Sequence, residues 1–296
     1  DRTNLPTNLK FYTTSDHKSE LHKYYSFLET TNQTETLTIY WYWNPYIDDI
    51  EDSKFINISN LEANIRVSAV QISEYAYMKN GASYVPSTYT YNGTEFWSDD
   101  YRPYIRMINF SNDLSNLPET YNDANLCFDV SNSSLQIRKV YAYLIDSGLK
   151  DSNNSEQSLY NLYIVSEAPI FAPSNCYGMF TSFKNLVNIN FNNNFNTSKV
   201  ESMEDMFSWC SSLTSLDLSS FNTSKVRYMG DMFHYCKSLM NLDLSSFNTS
   251  NVTKMSDMFD GCKSLTSLDL SSFNTSNVTS MYYMFDRCSS LTGLDL

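Results

Sequence analysis

The feature that most constrains this chain is a repeat of 26 residues in its second half. The dipeptide Met-Phe occurs with spacings of 27, 26, 26 and 26 residues, at Met179, Met206, Met232, Met258 and Met284. Each copy follows the pattern V-x-x-M-x-x-M-F-x-x-C-x-S-L-x-x-L-D-L-S-S-F-N-T-S-x. A fixed period of about 20–50 residues is typical of repeat proteins, in which a copy buries its apolar side chains only by stacking on its neighbours.

The first half of each copy has the apolar spacing of a helix. Apolar residues occur at i, i+3, i+6, i+7 and i+10, as in Val226, Met229, Met232, Phe233 and Cys236. This spacing places them on one helical face. Thr223 or Ser224 is then the expected N-cap, and Ser198 with Glu201 forms a capping box. The pattern predicts one helix per repeat.

The second half of each copy has the spacing of a short strand. Leu213, Leu216 and Leu218 follow the form L-x-x-L-x-L, in which alternate residues point inward. A strand and a helix in every copy predict a leucine-rich-repeat solenoid, with a parallel sheet on the concave side and helices on the convex side. The fold class expected is α+β with several domains.

One cysteine recurs in each copy. The column consists of Cys210, Cys236, Cys262 and Cys288, and the first copy has Phe183 at this position. A zinc site would need ligands clustered in sequence, and helices packed about 8–10 Å apart would keep neighbouring cysteines from forming disulfides. The column is therefore predicted to consist of free, buried thiols, while the partnership of Cys127 and Cys176 stays open.

An aspartate column accompanies the strands. Asp217, Asp243, Asp269 and Asp295 lie between inward-facing leucines, so they should point outward and stack about 4.8 Å apart. Hydrogen bonds from neighbouring Ser and Thr, a cation or a basic partner could offset the repulsion of these like charges. We favour the hydrogen bonds over a ligand-binding or cation-binding surface. Catalysis is disfavoured because a uniform column lacks the differing environments that separate an acid from a base.

The repeats resemble a known family. The stretch "MFDGCKSLTSLDLSSFNTSNV" is similar to the BspA-like leucine-rich-repeat surface proteins of bacteria. The resemblance extends over residues 102–296, because the preceding segment resembles the small β-rich N-terminal cap of those proteins, with Cys127 where tryptophan is expected. It implies a cell-surface or secreted protein that binds host matrix or other cells. No catalytic residue is carried over.

The expected organisation has three parts: a β-sandwich-like domain over residues 1–100, a β-rich cap over 101–178, and the repeats over 179–296. Two segments of the first part, "TLTIYWYW" and "LEANIRVSA", alternate as half-buried strands do. This part resembles camelysin-type exported β-sandwich domains of bacterial surfaces. The chain stops at Leu296 directly after a strand, so further repeats or an anchor are expected to follow.

Between these two segments lies an acidic loop. Its carboxylates belong to Asp48, Asp49, Glu51 and Asp52. Clustered oxygen ligands suit Ca²⁺, but a solvated loop is the favoured interpretation. No other metal or cofactor is indicated. His234 corresponds to Ser208, Asp260 and Asp286 in other copies, and this variability predicts a surface residue.

Composition excludes several functions. The chain has 20 basic and 33 acidic residues and a net charge of −13. Nucleic acids and anionic membrane surfaces are bound through Lys and Arg, so neither is an expected partner. No apolar run reaches the roughly 18 residues that a membrane span needs.

Two functions remain. The first is a non-enzymatic adhesin, extracellular or on a bacterial surface, that binds host extracellular-matrix or cell-surface proteins or glycans. Its contact aromatics would be Trp209, Tyr228, Tyr235, Tyr282 and Tyr283, since aromatic residues dominate many interfaces. The second is a fibre or matrix subunit that binds copies of itself through the β domain. An enzyme is disfavoured because no nucleophile motif, phosphate loop or metal signature is present.

Overall fold

The computed structural model describes residues 9–12, 40–43, 75–88, 90–120, 122–134 and 138–295. Contacts divide the chain into two compact units, Asp1–Ile72 and Ser73–Leu296. In the described part of the first unit, β1 (Leu9–Tyr12) and β2 (Tyr40–Trp43) pair antiparallel. β2 confirms the strand predicted in "TLTIYWYW". The segment "LEANIRVSA", like most of the predicted β-sandwich, lies outside the described residues.

The second unit is built from strands, of which β8 and β9 are the longest. They are β3 (Ala76–Tyr77), β4 (Ala82–Val85), β5 (Thr90–Gly93), β6 (Ile105–Ser111), β7 (Cys127–Asp129), β8 (Tyr141–Asp151), β9 (Asn154–Val165), β10 (Ile170–Phe171), β11 (Asn188–Asn190), β12 (Phe195–Asn196), β13 (Ser215–Leu216), β14 (Asn241–Leu242), β15 (Ser267–Asp269) and β16 (Gly293–Asp295). The helices of the described ranges are three single 3-10 turns, at Glu95–Trp97, Arg102–Tyr104 and Asp123–Asn125.

A five-stranded sheet joins the cap to the repeats. Its order is β11–β6–β9–β8–β7, with β8 and β9 antiparallel and β6 parallel to both β9 and β11. This sheet confirms the β-rich character predicted for residues 101–178. Because β11 belongs to the first repeat, the cap sheet adjoins the repeats directly, and the Asn190 side-chain amide donates to Asn109 Oδ1 at 2.7 Å.

The predicted helix in each repeat is wrong, and with it the strand–helix leucine-rich-repeat solenoid of the α+β class. The described residues contain no α-helix and have mainly strands and turns. Residues 230–235 of the predicted helix are a run of turns. Asp231 and Tyr235 have φ angles of 55° and 57°, which a right-handed helix cannot contain.

Backbone hydrogen bonding explains this difference. The N–H groups of Met229, Asp231, Phe233 and Tyr235 donate to carbonyls 25 residues further on, in the next repeat, at 2.7–3.0 Å. The N–H groups of His234 and Cys236 instead close turns within the repeat, each at 3.0 Å. The apolar spacing that suggests a helical face is therefore buried by stacked turns, whose backbone groups are satisfied by the neighbouring copy.

Equivalent side chains of successive copies pack on one another. The phenylalanine rings at positions 180, 207, 233, 259 and 285 lie 5.7–5.8 Å apart and within 13° of parallel. The short strands also stack in register, with Leu216 opposite Leu242 and Leu268 opposite Leu294. Each of these copies has a short strand, but the strands form two separate parallel pairs, β13–β14 and β15–β16, and not the single parallel sheet that was predicted.

Thr223 clasps two repeats together instead of capping a helix. Its Oγ1 donates to the Asn248 carbonyl at 3.1 Å and accepts the Asn248 N–H at 2.8 Å, and Thr197 and Thr249 repeat the arrangement. Thr223 is buried. The predicted caps at Thr223 and Ser224, and the capping box of Ser198 and Glu201, are wrong because no helix begins there.

The cysteine column is buried and its thiols are unpaired. Cys210, Cys236 and Cys262 are fully buried, Cys288 is half-buried, and Cys127 and Cys176 are also free. Each thiol of the column donates to the carbonyl of a phenylalanine in the preceding repeat at 3.0–3.2 Å. The prediction of free, buried thiols is confirmed for Cys210, Cys236 and Cys262. The reason given, a helix spacing of about 8–10 Å, does not apply without helices.

Candidate functional site

A groove follows the short-strand face of the repeats. It has a volume of about 900 Å³ and is lined by residues 188–193 of the first copy and by the strands of the next three. Its polar lining from those three copies consists of Ser215, Asp217, Ser219, Ser220, Asn241, Asp243, Ser267 and Asp269. The groove therefore presents carboxylates, amides and hydroxyls at regular intervals, which suits hydrogen bonding to a long ligand.

Three of the four predicted aspartates line this groove. Oδ1 of Asp217, Asp243 and Asp269 accepts the N–H of the serine two residues later at 2.9–3.0 Å. Hydrogen bonds from that serine's side chain and backbone lower the pKa of all three carboxyls. Asp295 lies opposite Asp269 on β16 but does not line the groove.

The sequence favoured hydrogen bonds from nearby serines as the means of offsetting the repulsion between these like charges, and such bonds are present. Each of them joins an aspartate to a serine of the same repeat. No salt bridge of the described residues involves these three carboxylates, so their negative charges face the groove without a basic side chain bound to them.

The described residues include no group of three or more His, Cys, Asp or Glu side chains able to hold a metal ion. The acidic loop with Asp48, Asp49, Glu51 and Asp52 lies outside the described residues, so its Ca²⁺ site stays a prediction. Within the described ranges, no helix has the length and hydropathy to cross a membrane.

The predicted contact aromatics do not line the groove, and the structure separates them into three groups. Trp209 and Tyr235 stack at 4.3 Å, with the Lys237 ammonium 5.7 Å and 5.3 Å from the two ring centres. Tyr282 and Tyr283 meet edge to face and are both exposed. Tyr228 lies beneath the cations of Arg227 and Lys254.

His234, predicted to be a surface residue, is only partly exposed. Its side chain is 21% exposed, with Nδ1 3.4 Å from Asp231 Oδ1 and Nε2 3.1 Å from Asp260 Oδ2. Its counterparts Ser208 and Asp260 are buried, whereas Asp286 is exposed. The exposure of this position therefore differs from copy to copy.

The structure has a second acidic column that the sequence analysis did not predict. Asp205, Asp231 and Asp257 precede Met-Phe in three successive copies and have φ angles of 55–57°. The thrice-repeated tripeptide Asp-Met-Phe was the signal that could have revealed it. The repetition was not recognised as a cluster because, on the predicted helix, these aspartates would have faced solvent.

Burial makes this second column electrostatically unlike the first. Desolvation raises the pKa of Asp205, Asp257 and the adjacent Glu204. For Asp231, burial and then the neighbouring Asp205 and Asp257 raise the pKa to about 7. Where a carboxylate is desolvated among like charges, its protonated form is favoured.

A family model matches the repeat region. Residues 174–294 match the family model described as "Mycoplasma protein of unknown function, DUF285". No curated protein and no solved structure matches the chain. The repeats and the end of the cap are thus similar to a family whose function is not described.

Proposed function

We propose that this chain is a non-enzymatic binding protein, secreted or held on a bacterial surface, whose groove binds extracellular-matrix or cell-surface proteins or glycans of a host. The observation that carries the proposal is the groove itself. Asp217, Asp243 and Asp269 line it as ionised carboxylates that no basic side chain of the described residues neutralises. The resemblance of the repeats to BspA-like surface proteins supports the same class of function.

The groove's geometry favours long ligands with basic or hydroxyl groups. Each carboxylate is held in place by a hydrogen bond to its own turn, so little side-chain freedom is lost when a ligand binds. Equivalent groups recur in every copy, so a ligand with repeating donors could contact several copies at once. The fibre subunit predicted as the alternative would act through the β domain, which lies largely outside the described residues.

The test is a binding screen of the whole chain against arrays of matrix proteins and glycans, followed by a variant with Asp217→Asn, Asp243→Asn and Asp269→Asn. We expect at least a tenfold loss of affinity for the captured ligand, with an unchanged unfolding temperature. The matched control removes three exposed carboxylates elsewhere, through Asp100→Asn, Glu119→Gln and Glu156→Gln. Binding that survives in the groove variant, or that falls equally in the control, would overturn the proposal.

A further inference from the structure

A second, smaller pocket in the repeats shares no lining residue with the groove. It has a volume of about 560 Å³, within the range of about 300–1,000 Å³ that is typical of ligand sites. Four successive copies contribute to its lining, which consists of Glu201, Lys225, Arg227, Asn251, Thr253 and Asn277. Every one of these side chains ends in a polar or charged group, which suits a ligand bound by charge and hydrogen bonds.

Hydrogen bonds between copies fix where these residues lie. The Arg227 N–H donates to the Glu201 carbonyl at 2.8 Å, and the Thr253 N–H donates to the Arg227 carbonyl at 2.9 Å. The side-chain amides of Asn251 and Asn277 each donate to the carbonyl of a serine in the preceding copy at 2.7 Å. That bond uses one of the two N–H groups of each amide. The wall of the pocket is thus preorganised, so little freedom is lost when a ligand binds.

Positive charge is concentrated around this pocket, although the chain as a whole has a net charge of −13. The segment N-T-S-x-V-x-x-M of the four copies carries one carboxylate, Glu201, and four cations, which are Lys199, Lys225, Arg227 and Lys254. No salt bridge of the described residues involves any of these four cations. Their charges are therefore available to an anionic ligand.

Aromatic rings, and not carboxylates, hold three of these cations. The ring centre of Tyr228 lies 5.8 Å from the Arg227 guanidinium carbon and 5.7 Å from the Lys254 ammonium nitrogen. In the preceding copy, the Lys199 ammonium donates to the Tyr77 hydroxyl at 2.8 Å and lies 4.8 Å from the centre of that ring. A ring attracts a cation through its quadrupole and does not cancel the positive charge. The rings thus position the cations and leave them charged.

We propose that this pocket binds a sulfated glycan through Lys225 and Arg227. A guanidinium donates two parallel hydrogen bonds to an oxyanion, and an ammonium adds a point charge on a flexible stem. The remaining amide N–H groups of Asn251 and Asn277 are donors for sugar hydroxyls. An acidic peptide fits less well, because peptide recognition also uses pockets for side chains and no lining residue is apolar. The site does not depend on what the groove binds.

The first experiment measures binding of a heparin hexasaccharide, as the sulfated probe, to the full chain by calorimetry at low ionic strength. Lys225→Gln combined with Arg227→Gln should weaken the affinity at least about tenfold, because charge-assisted hydrogen bonds are lost. The control combines Lys184→Gln with Lys263→Gln, two exposed cations of the repeats outside the pocket. It changes the net charge equally and should alter the affinity by less than about twofold.

A second variant should bind more tightly than the wild type, a result that misfolding cannot produce. Glu201→Gln removes the one carboxylate among the described lining residues, so it should strengthen binding of the hexasaccharide about two- to fivefold by removing repulsion. Glu119→Gln is its control, since it removes an exposed carboxylate outside the pocket and should leave the affinity unchanged. Equal affinities of the two variants would contradict a local effect of the pocket.

Two further probes test which anion the pocket recognises. They are the same hexasaccharide without its sulfate groups and a poly-glutamate peptide, and each should bind at least about tenfold more weakly than the sulfated probe. Equal affinity for either probe would overturn the sulfated-glycan site. So would the absence of binding of the sulfated probe to the wild type, or an equal loss of affinity in the variant of Lys225 and Arg227 and in its control.

Discussion

Each repeat carries aspartates at two positions, and the two columns they form have opposite electrostatics. Asp217, Asp243 and Asp269 are exposed, and hydrogen bonds from nearby serines lower their pKa. In Asp205, Asp231 and Asp257, burial raises the pKa. The residue type and the repeat spacing are the same in both columns. Solvent access and hydrogen-bond donors therefore decide whether such a column stays charged.

The difference assigns separate roles to the two sides of the repeats. Asp217, Asp243 and Asp269 stay ionised at little cost, because water and the serine N–H groups stabilise their charges, so they can face a ligand. Among Asp205, Asp231 and Asp257, protonation of one carboxylate removes its repulsion of the others, so the charge of this column depends on pH. Both depend on the stack that brings equivalent residues close together.

The largest expected effect comes from breaking that stack. Phe233 is fully buried between the rings of Phe207 and Phe259. Phe233→Ala should lower the free energy of unfolding by about 3–5 kcal/mol, measured by urea denaturation, because it removes a large side chain and leaves a cavity. Tyr282→Ala is the control, since this ring is 67% exposed and its loss should cost about 0.5 kcal/mol or less. Similar losses in the two variants would contradict the packed stack.

The next effect concerns the hydrogen bonds by which Thr223 joins two repeats. Thr223→Val keeps the shape of the side chain but leaves the Asn248 N–H and carbonyl without their partner. We expect a loss of about 1–3 kcal/mol in the free energy of unfolding, because buried polar groups would be left unpaired. Thr253→Val removes an exposed hydroxyl that makes a single bond, to the Arg227 carbonyl, and should cost less. The reverse order would show that the buried clasp does not hold the copies together.

A smaller effect separates the two columns directly. Asp231→Asn should raise the free energy of unfolding at pH 8.0 by about 1 kcal/mol, since it removes repulsion from Asp205 and Asp257. The gain is limited because the Asp231 side chain is 36% exposed and solvent screens its charge. It should shrink at pH 5.5, where Asp231 is largely protonated. Destabilisation at pH 8.0 would contradict like-charge repulsion in this column.

The smallest effect is expected in the groove. Asp243→Asn keeps an oxygen that can accept the Ser245 N–H, so stability should be unchanged between pH 5.5 and 8.0. Urea denaturation at both pH values gives the comparison with Asp231→Asn. If Asp243→Asn raised the free energy of unfolding at pH 8.0 as much as Asp231→Asn does, the carboxylates would repel one another equally in the two columns.

The sequence predicted the parts of the fold that depend on local apolar order. The period, the short parallel strands, the buried thiols of Cys210, Cys236 and Cys262, and the outward Asp217 all follow from repeated letters and alternation. The helices were wrong because the spacing of Val226, Met229, Met232, Phe233 and Cys236 also fits turns. The backbone N–H groups donate to carbonyls of the neighbouring repeat, and the apolar spacing within one copy does not reveal those partners.

The same limit applied to the site. The groove aspartates could be placed because alternation along a strand fixes which side chains point outward. The second column could not, because its position depends on the left-handed residues that turn the chain at Asp231 and Tyr235. The partial burial of His234 could not be predicted either, because Asp260, which lies beside it, belongs to another copy.

The two aspartate columns differ because one is half-buried among carboxylates and the other is hydrogen-bonded in water. Carbon-13 NMR of the aspartate carboxyl groups, titrated from pH 3 to 9 and assigned with Asp231→Asn and Asp243→Asn, measures this difference residue by residue. We expect Asp231 to titrate with a pKa of about 7, while the pKa of Asp243 lies below the ordinary aspartate value. Titration of both residues together near about pH 4, the ordinary range, would contradict it.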